Sequence, residues 1–283
     1  MNGEKLKNKI KKRAKEIGAQ PQELMQMYFF ERLLYRISIS IYKFNFILKG
    51  GLLLSAIIGD ERRTTSDMDT MIKGIDIESD ELLKIIQEII NIETDDNISF
   101  EIERTNEIRV DDIYGGVNVK LIAKKDGLIV PLFIDITTKD PITPREIEFK
   151  YKSLFDDTYI KIMAFNKETI IAEKFETLIK DTSTNTRAKD FYDLYIIIKD
   201  YWNDLDKTNL IKAIQNTCKR RESLYILDEI EERFEFIKES TILKNEWNKY
   251  KIAHLYAKDI EYADIMKNVS LIIKELEKDV AII

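Results

Sequence analysis

Three aspartates are the residues whose types and spacing best fit chemistry. Asp67 and Asp69 lie two residues apart at the start of a strand predicted over residues 67–72. Because side chains alternate between the two faces of a strand, both carboxylates project from the same face. Asp135 lies in the predicted strand 132–137, whose other face is apolar. Three carboxylates on adjacent strands would form an oxygen cage suited to Mg²⁺.

A glycine pair lies ahead of the two aspartates. Gly50 and Gly51 follow a predicted strand around residues 44–48 and open a predicted short helix at 52–57. Bare glycine amides at a helix N-terminus could hold triphosphate oxygens. No Gly-Lys-Ser/Thr follows, so the segment is not a Walker A loop, and no dinucleotide fingerprint of three spaced glycines is present. An isolated Asp-x-Asp is also typical of a solvated edge strand, but the glycine pair favours nucleotide chemistry.

A charged segment farther along the chain has two interpretations. The predicted helix 188–200 has an apolar face with i, i+3, i+4, i+7 spacing that should contact the core: Phe191, Leu194, Tyr195 and Ile198. Its charged residues Lys189, Asp190 and Asp193 share another face. They are consistent either with a solvated helix carrying a weak ion pair between Lys189 and Asp193 or with a functional site.

Composition limits the class of protein. The chain has 283 residues, 44% of them hydrophobic, and a net charge of −6, which fits about two folded domains and argues against coating DNA by bulk charge. The single cysteine, Cys218, excludes an intramolecular disulfide, and the single histidine, His254, excludes a usual zinc site of Cys and His. The longest apolar stretch, 50–59, is about half of what a bilayer requires. We expect a cytoplasmic protein without a membrane partner, with Cys218 inert and His254 packed in a helix.

The hydrophobic pattern changes class along the chain. Residues 21–38 and 79–91 are predicted helices, the second capped by Ser79. Three strands are predicted over 98–138, with Gly115, Gly116 and Gly127 at their turns, and a short strand-like stretch after Pro141 and Pro144. Helical periodicity then covers these ranges: 166–181, 188–200, 205–219, 223–239, 240–256 and 261–281. The pattern predicts an α/β domain over 1–160 and an all-helical domain over 161–283.

Taken together, these motifs resemble a known family. The glycine pair, a basic loop with Arg62 and Arg63, Asp67-x-Asp69 and a third strand aspartate resemble the DNA polymerase β-like nucleotidyltransferases. The downstream segments Glu173-Lys174 and 187–194 are similar to those of the AbiEii/AbiGii abortive-infection toxins. The resemblance implies an α+β fold, in which a polymerase β-like α/β domain with a mixed sheet precedes the helical domain carrying Lys174 and the motif from Arg187 to Asp193.

The resemblance also implies roles for particular residues. Asp67, Asp69 and Asp135 would be catalytic metal ligands for Mg²⁺ or Mn²⁺. Lys174 would neutralise the triphosphate, and Asp190 would position the nucleotide or the acceptor, so both count as catalytic. The resemblance further implies a nucleotide-binding set, which comprises Gly50, Gly51, Ser66, Lys174, Lys189 and Asp193.

The activity implied is transfer of nucleotides from an NTP to the 3′ end of tRNA, with release of pyrophosphate and a block of translation. A co-encoded antitoxin of the transcriptional-regulator type would counteract the toxin, with or without a stable complex, in defence against phage. Two alternatives stay open, namely a transferase that modifies a protein hydroxyl and an inactive nucleotide-binding regulatory protein.

Binding of an RNA by an acidic protein requires a local basic patch. We expect Arg62 and Arg63 to be the first RNA contacts because they adjoin the acid pair. Two further basic groups are candidates, the run from Lys5 to Lys15 and the segment Lys219, Arg220 and Arg221. A lysine run of this kind is also typical of a solubilising tail.

Overall fold

The structure is a computed structural model and describes residues 1–75, 80–108, 116–180 and 188–280. The predictions for Ser79, Gly115 and Arg187 lie outside these residues. The chain divides into two compact units. The first contains residues 1–140 and 146–165, and the second contains residues 141–145 and 166–283.

The first unit contains a mixed sheet. Its described strands are β1 Phe46–Lys49, β2 Asp67–Ile72, β3 Ser99–Ile108, β4 Gly116–Lys125, β5 Leu128–Thr138, β6 Ile147–Lys152 and β7 Tyr159–Ala164. They lie in the order β3-β4-β5-β2-β1-β7-β6. The pairs β2/β5 and β1/β7 are parallel, and the other neighbouring strands are antiparallel. The predicted strand-like stretch after Pro144 therefore comprises two strands.

Four helices accompany the sheet: α1 Gly3–Ile17, α2 Pro21–Ile39, α3 Gly50–Ile58 and α4 Asp80–Ile90. Apolar residues of α2 and α4 line a small cavity with the alternate residues Met68, Ile134 and Ile136 of the sheet. One face of the sheet is thus the core. The intervening residues of β2 and β5 project from the opposite face, which is only half-buried.

The second unit is helical over its described residues. Its helices are α5 Lys167–Lys180, α6 Ala188–Tyr201, α7 Lys207–Arg220, α8 Tyr225–Asp228, α9 Ile230–Glu239, α10 Thr241–Ala253 and α11 Tyr262–Val280. The residues of α6 predicted to face the core are buried, as expected: Phe191, Leu194, Tyr195 and Ile198. An α+β fold with a mixed sheet followed by helices is confirmed. None of the helices in the described part of the chain is long and apolar enough to cross a bilayer.

Two helical predictions differ from the structure. The single helix expected over 223–239 is broken at Glu229, which lies between the end of α8 at Asp228 and the start of α9 at Ile230. His254 was expected inside a helix, but it lies just after α10 with an extended backbone, φ −129° and ψ 105°. Its ring lies against Tyr250 at 4.2 Å and Tyr256 at 5.2 Å between centroids, and these ring contacts accompany the turn that ends the helix.

Candidate active site

The three predicted acids lie on the open face of the sheet, called the acid face below. Strands β2 and β5 run parallel, with Asp69 opposite Asp135 and Asp67 opposite Phe133. Because alternate residues of a strand share a face, Asp67, Asp69 and Asp135 project from the same side. All three are half-buried, whereas the neighbours that point to the core, such as Met68 and Ile134, are buried.

The carboxylates of the acid face interact electrostatically. Burial raises the pKa of Asp135 above its ordinary value, and the charges of Asp69 and Asp67 raise it further. Asn118 opposes this shift by donating a hydrogen bond from Nδ2 to Asp135 Oδ1 at 2.6 Å. Among the described residues, no lysine or arginine forms an ion pair with any of the three acids. The acid face therefore gathers three carboxylates that no described lysine or arginine pairs with directly.

The glycine pair directly adjoins Asp69. β1 ends at Lys49, α3 begins at Gly50, and Gly50 has a φ of +64°, a conformation that favours glycine. A Cβ on Gly50 would lie 2.7 Å from Asp69 Cβ, so the close approach also excludes a side chain. The Gly51 N–H donates to Asp69 Oδ2 at 3.3 Å. The first amides of α3 are thus placed beside the acid pair.

Two hydroxyl residues near the glycine pair have internal roles. Ser66 donates from Oγ to Asp67 Oδ2 at 3.1 Å, so it contacts one of the acids. Ser55 is buried and donates to the carbonyl oxygen of Arg63. Ser66 therefore belongs to the acid face, whereas Ser55 holds the loop that follows α3.

The chemistry of Asp67, Asp69 and Asp135 fits a hard divalent cation, because their carboxylate oxygens share one face and none of them is held in an ion pair with a described lysine or arginine. The spacing is more open than that of a formed metal site. Within the residues that the structure describes, no three histidine, cysteine or acidic side chains come close enough together to hold one ion.

Two residues at the acid face, Lys49 and Thr137, are not predicted from the sequence. Lys49 lies opposite Asp69 in the antiparallel pairing of β1 and β2, and its Nζ is 2.7 Å from Asp140 Oδ2. Thr137 donates to the same Asp140 oxygen at 2.6 Å. The position of Lys49 directly before Gly50 was the signal available in the sequence. Its relation to Asp69 depends on strand register, which the sequence does not supply.

The basic loop differs from expectation. The Arg63 side chain is 1% exposed and donates from Nη1 to the carbonyl oxygen of Thr64. A Cβ on Gly51 would lie 3.3 Å from Arg63 Nη2, so this guanidinium packs against the start of α3. Arg63 therefore does not present its charge to an RNA at the surface, while Arg62 is half-buried.

In the second unit, three predicted residues form one ion-pair cluster. Lys174 on α5 pairs with Asp190 on α6 and with Asp193, whose Oδ2 is 2.9 Å from Nζ. Burial lowers the pKa of Lys174, but the charges of Asp193 and Asp190 outweigh it and raise the pKa above its ordinary value. Lys174 is therefore a cation at neutral pH. Because Asp190 and Asp193 are buried, the interpretation of their helix face as solvated is wrong.

The other basic candidates of the second unit differ from one another. Arg221 Nη1 lies 2.7 Å from Glu176 Oε2, and Arg221 Nη2 lies 3.3 Å from Glu173 Oε1, so this guanidinium is held by internal carboxylates. Lys219 is exposed, and Lys189 is half-buried on α6. Cys218 is buried, and burial raises the pKa of its thiol to about 12, so it is protonated at neutral pH, as expected of an inert cysteine.

Comparisons with known proteins identify the family. The sequence model described as "Nucleotidyl transferase AbiEii toxin, Type IV TA system" matches residues 32–268. No curated protein sequence matches the chain. Similar solved structures include JHP933 from Helicobacter pylori, at 16% identity and a TM-score of 0.51 over 93% of this chain and 96% of that one.

A second similar structure is a candidate nucleotidyltransferase from H. pylori, at 18% identity and a TM-score of 0.50 over 92% of this chain and 98% of that one. At these identities the likeness shows a shared fold. The family match covers most of the chain, including the glycine pair, the acid face and the Lys174 cluster. The chain therefore belongs to the AbiEii family of nucleotidyltransferase toxins of type IV toxin–antitoxin systems.

Proposed function

We propose that this toxin transfers nucleotides from an NTP to the 3′ end of an RNA, with tRNA as the acceptor. The pairing of Asp69 with Asp135 in register, with Asp67 on the same face, is the observation that carries the proposal. Carboxylates that can hold a divalent cation, next to the first amides of α3 at Gly50 and Gly51, are suited to an incoming triphosphate.

The acid face would hold the divalent cation, Mg²⁺ or Mn²⁺, through Asp67, Asp69 and Asp135. When bound, such an ion would neutralise the triphosphate and stabilise the departing pyrophosphate. Asp135 would accept the proton of the attacking RNA hydroxyl. The hydroxyl oxygen would form a new bond to the α-phosphorus, and the bond between that phosphorus and the bridging α–β oxygen would break, so that pyrophosphate leaves with the electron pair.

Further residues have roles that rest on the family. The amides of Gly50 and Gly51, together with Ser66, would bind triphosphate oxygens. Lys174 would neutralise triphosphate charge, and Asp190 would position the nucleotide or the acceptor. Lys189 and Asp193 would complete the nucleotide contacts. Support for Lys174 comes from its charge, which Asp190 and Asp193 maintain at neutral pH.

The biological consequence would be a block of translation, because an extended 3′ end prevents aminoacylation of the tRNA. Family membership implies an antitoxin partner and an NTP substrate. We propose that the antitoxin is a co-encoded transcriptional regulator, that the pair defends the cell against phage, and that the toxin acts in the cytoplasm.

Incubation of the protein with each radiolabelled NTP, Mg²⁺ and either total tRNA or lysate protein tests the proposal. Label should enter tRNA, and prior periodate oxidation of the tRNA 3′ diol should abolish the incorporation. The matched control is Asp69→Asn, which should leave the tRNA unlabelled. Label in protein instead would favour the hydroxyl-modifying alternative. Absence of label in both acceptors would favour the inactive nucleotide-binding protein.

A further inference from the structure

The N-terminal helix α1 carries a dense row of cationic side chains. Its exposed lysines are Lys5, Lys7, Lys9, Lys11, Lys12 and Lys15. Of these, Lys9 contacts the Phe155 ring and carbonyl oxygen. Lys12 reaches Glu16 only at 4.0 Å, in a largely exposed pair that contributes little. The other four form no ion pair among the described residues. In a protein with a net charge of −6, this helix is a local basic surface.

The helix is fixed to the first unit and is not a loose tail. Leu6, Ile10 and Ala14 recur every four residues, and all three are buried. Arg13 forms a two-pronged contact with Asp60, from Nε at 2.8 Å and from Nη2 at 2.7 Å. The Gly3 N–H donates to Asp126 Oδ2 at 2.9 Å in the turn between β4 and β5. The backbone that carries the lysines is therefore fixed, with Lys5, Lys12 and Lys15 opposite the buried stripe and the other exposed lysines on its flanks.

This arrangement discriminates between two kinds of anionic partner. A helix that binds a membrane surface inserts its apolar face among the lipids and keeps its basic face near the headgroups. The apolar face of α1 is already buried in the first unit, so insertion would require the helix to detach. A polyanion that needs only charge contacts, such as a nucleic acid backbone, fits the exposed side of the helix.

We propose that the lysine face of α1 binds the phosphate backbone of the RNA acceptor. The RNA identity of this polyanion rests on the proposed function. The two ends of α1 lie at different distances from the acid face. The N-terminal end contacts Asp126, and the seven residue steps along β5 from Leu128 to Asp135 span roughly 23 Å. The C-terminal end contacts Asp60 just after α3, whose 9 residues from Gly50 span roughly 13 Å. The lysines would thus bind the RNA beyond its reacting end. The α1 lysines lie before residues 32–268, the range that matches the family model. The family match therefore does not include this lysine surface.

The test is RNA binding without NTP, so failure of the transfer reaction does not affect it. The variant replaces Lys5, Lys11, Lys12 and Lys15 by Gln, which removes four charges and keeps good helix formers. The matched control replaces four exposed helical lysines elsewhere by Gln, namely Lys84, Lys212, Lys267 and Lys274. Both variants lose the same net charge, and their melting temperatures should equal that of the wild type. Deleting the helix would be a poorer test, because it removes the buried Leu6 and Ile10.

Affinity for total tRNA is measured between about 50 and 200 mM salt, the range over which phosphate contacts dominate the change. In the α1 variant, binding should weaken at least tenfold at the low-salt end, and the slope of log affinity against log salt should fall by about two to three units. Binding of a short single-stranded RNA with the 3′ terminal sequence alone should change far less. The control variant should keep the wild-type slope.

Three results would overturn the proposal. One is equal tRNA affinity in the α1 variant and the control variant. Another is weaker binding with an unchanged salt slope, which would mean that the lysines do not contact phosphates. The third comes from sedimentation with vesicles of phosphatidylserine and phosphatidylcholine. If the α1 variant loses vesicle binding while it keeps tRNA binding, the surface is a membrane contact.

Discussion

Asp69 and Asp135 stand side by side on the parallel strands β2 and β5, and the Gly51 N–H contacts Asp69 on its other side. This relationship joins the glycine turn to both acid strands. Gly50 leaves no space for a side chain at the same point. The activity of the acid face should therefore depend both on the backbone at Gly50 and on the charge at Asp69. Separate substitutions at the two positions distinguish the two effects.

Gly50→Ala should disable the acid face. The new methyl group would overlap the Asp69 side chain, and displacement of a catalytic group by about 1 Å can reduce a rate by about a hundredfold. Gly127→Ala is the matched control, because Gly127 also has a positive φ, +81°, but no heavy atom lies within 4 Å of its added Cβ. Both variants should lose about 1–2 kcal/mol of stability from backbone strain. Only Gly50→Ala should lose NTP incorporation. Equal activity in the two variants would contradict the arrangement.

Asp69→Asn should abolish nucleotide transfer without unfolding the protein. Removing one of three clustered like charges relieves repulsion in the metal-free protein, so the melting temperature should stay the same or rise. The asparagine oxygen can still accept from the Gly51 N–H. Asp157→Asn serves as the control, since the Asp157 side chain is 98% exposed. A marked fall in the melting temperature of Asp69→Asn would show that Asp69 has a structural role, and retained transfer would remove it from the active site.

The effect of Asp135 on the free energy of unfolding should change with pH in the opposite direction to that of an ion-paired aspartate, which stabilises the protein more as the pH rises. Burial, with the Asp69 and Asp67 charges, raises its pKa in the folded state above the unfolded value. Ionised Asp135 therefore destabilises the folded protein, and this penalty is complete above the pKa that Asp135 has in the folded state. The penalty is relieved as the pH falls through that value. Asp135→Asn removes the penalty and keeps an oxygen that can accept from Asn118.

Chemical denaturation with EDTA present, at pH 7.5 and at pH values stepped down towards 4, measures this effect. Asp135→Asn should be more stable than the wild type at pH 7.5, and the difference should shrink on acidification. A difference that grows as the pH falls would mean that the pKa is lowered in the folded state.

The strands and helices with regular periodicity could be predicted from the sequence. β2 follows from the alternation around Asp67 and Asp69, and α6 follows from its apolar residues at i, i+3, i+4 and i+7. The helix α1 was not predicted, because only Leu6, Ile10 and Ala14 mark its buried stripe among many charges. A stripe one residue wide is a weak signal beside seven basic residues.

The sequence predicts which residues belong to the candidate site better than it predicts the contacts between them. Alternation indicates that Asp67 and Asp69 share a face, but the pairing of Asp69 with Asp135 depends on β2 and β5 being neighbours. Strand order and register are tertiary properties, so Lys49 opposite Asp69 was also missed. The burial of Arg63 was equally hidden, because a loop arginine gives no periodic signal.

Lys174→Gln should affect both stability and nucleotide use. It leaves the buried Asp190 and Asp193 without their shared cation, and breaking a buried ion pair costs about 3 kcal/mol or more. Lys174→Arg keeps the charge and should recover part of the stability, while Lys212→Gln, at an exposed lysine, should change neither property. Below the unfolding temperature of Lys174→Gln, the KM for NTP should rise more than the affinity for RNA falls. Equal losses of both would count against a triphosphate role.

Ile10→Ala tests whether α1 is part of the folded first unit. Ile10 is 1% exposed, and truncation of a buried isoleucine to alanine lowers the free energy of unfolding by about 2–5 kcal/mol. Lys11→Ala, at the adjacent exposed position, should stay within about 0.5 kcal/mol of the wild type. Urea denaturation followed by circular dichroism measures both variants. If α1 were only a solubilising tail, both substitutions would leave the midpoint unchanged. A loss confined to Ile10→Ala would show that the lysine face is held on a packed helix.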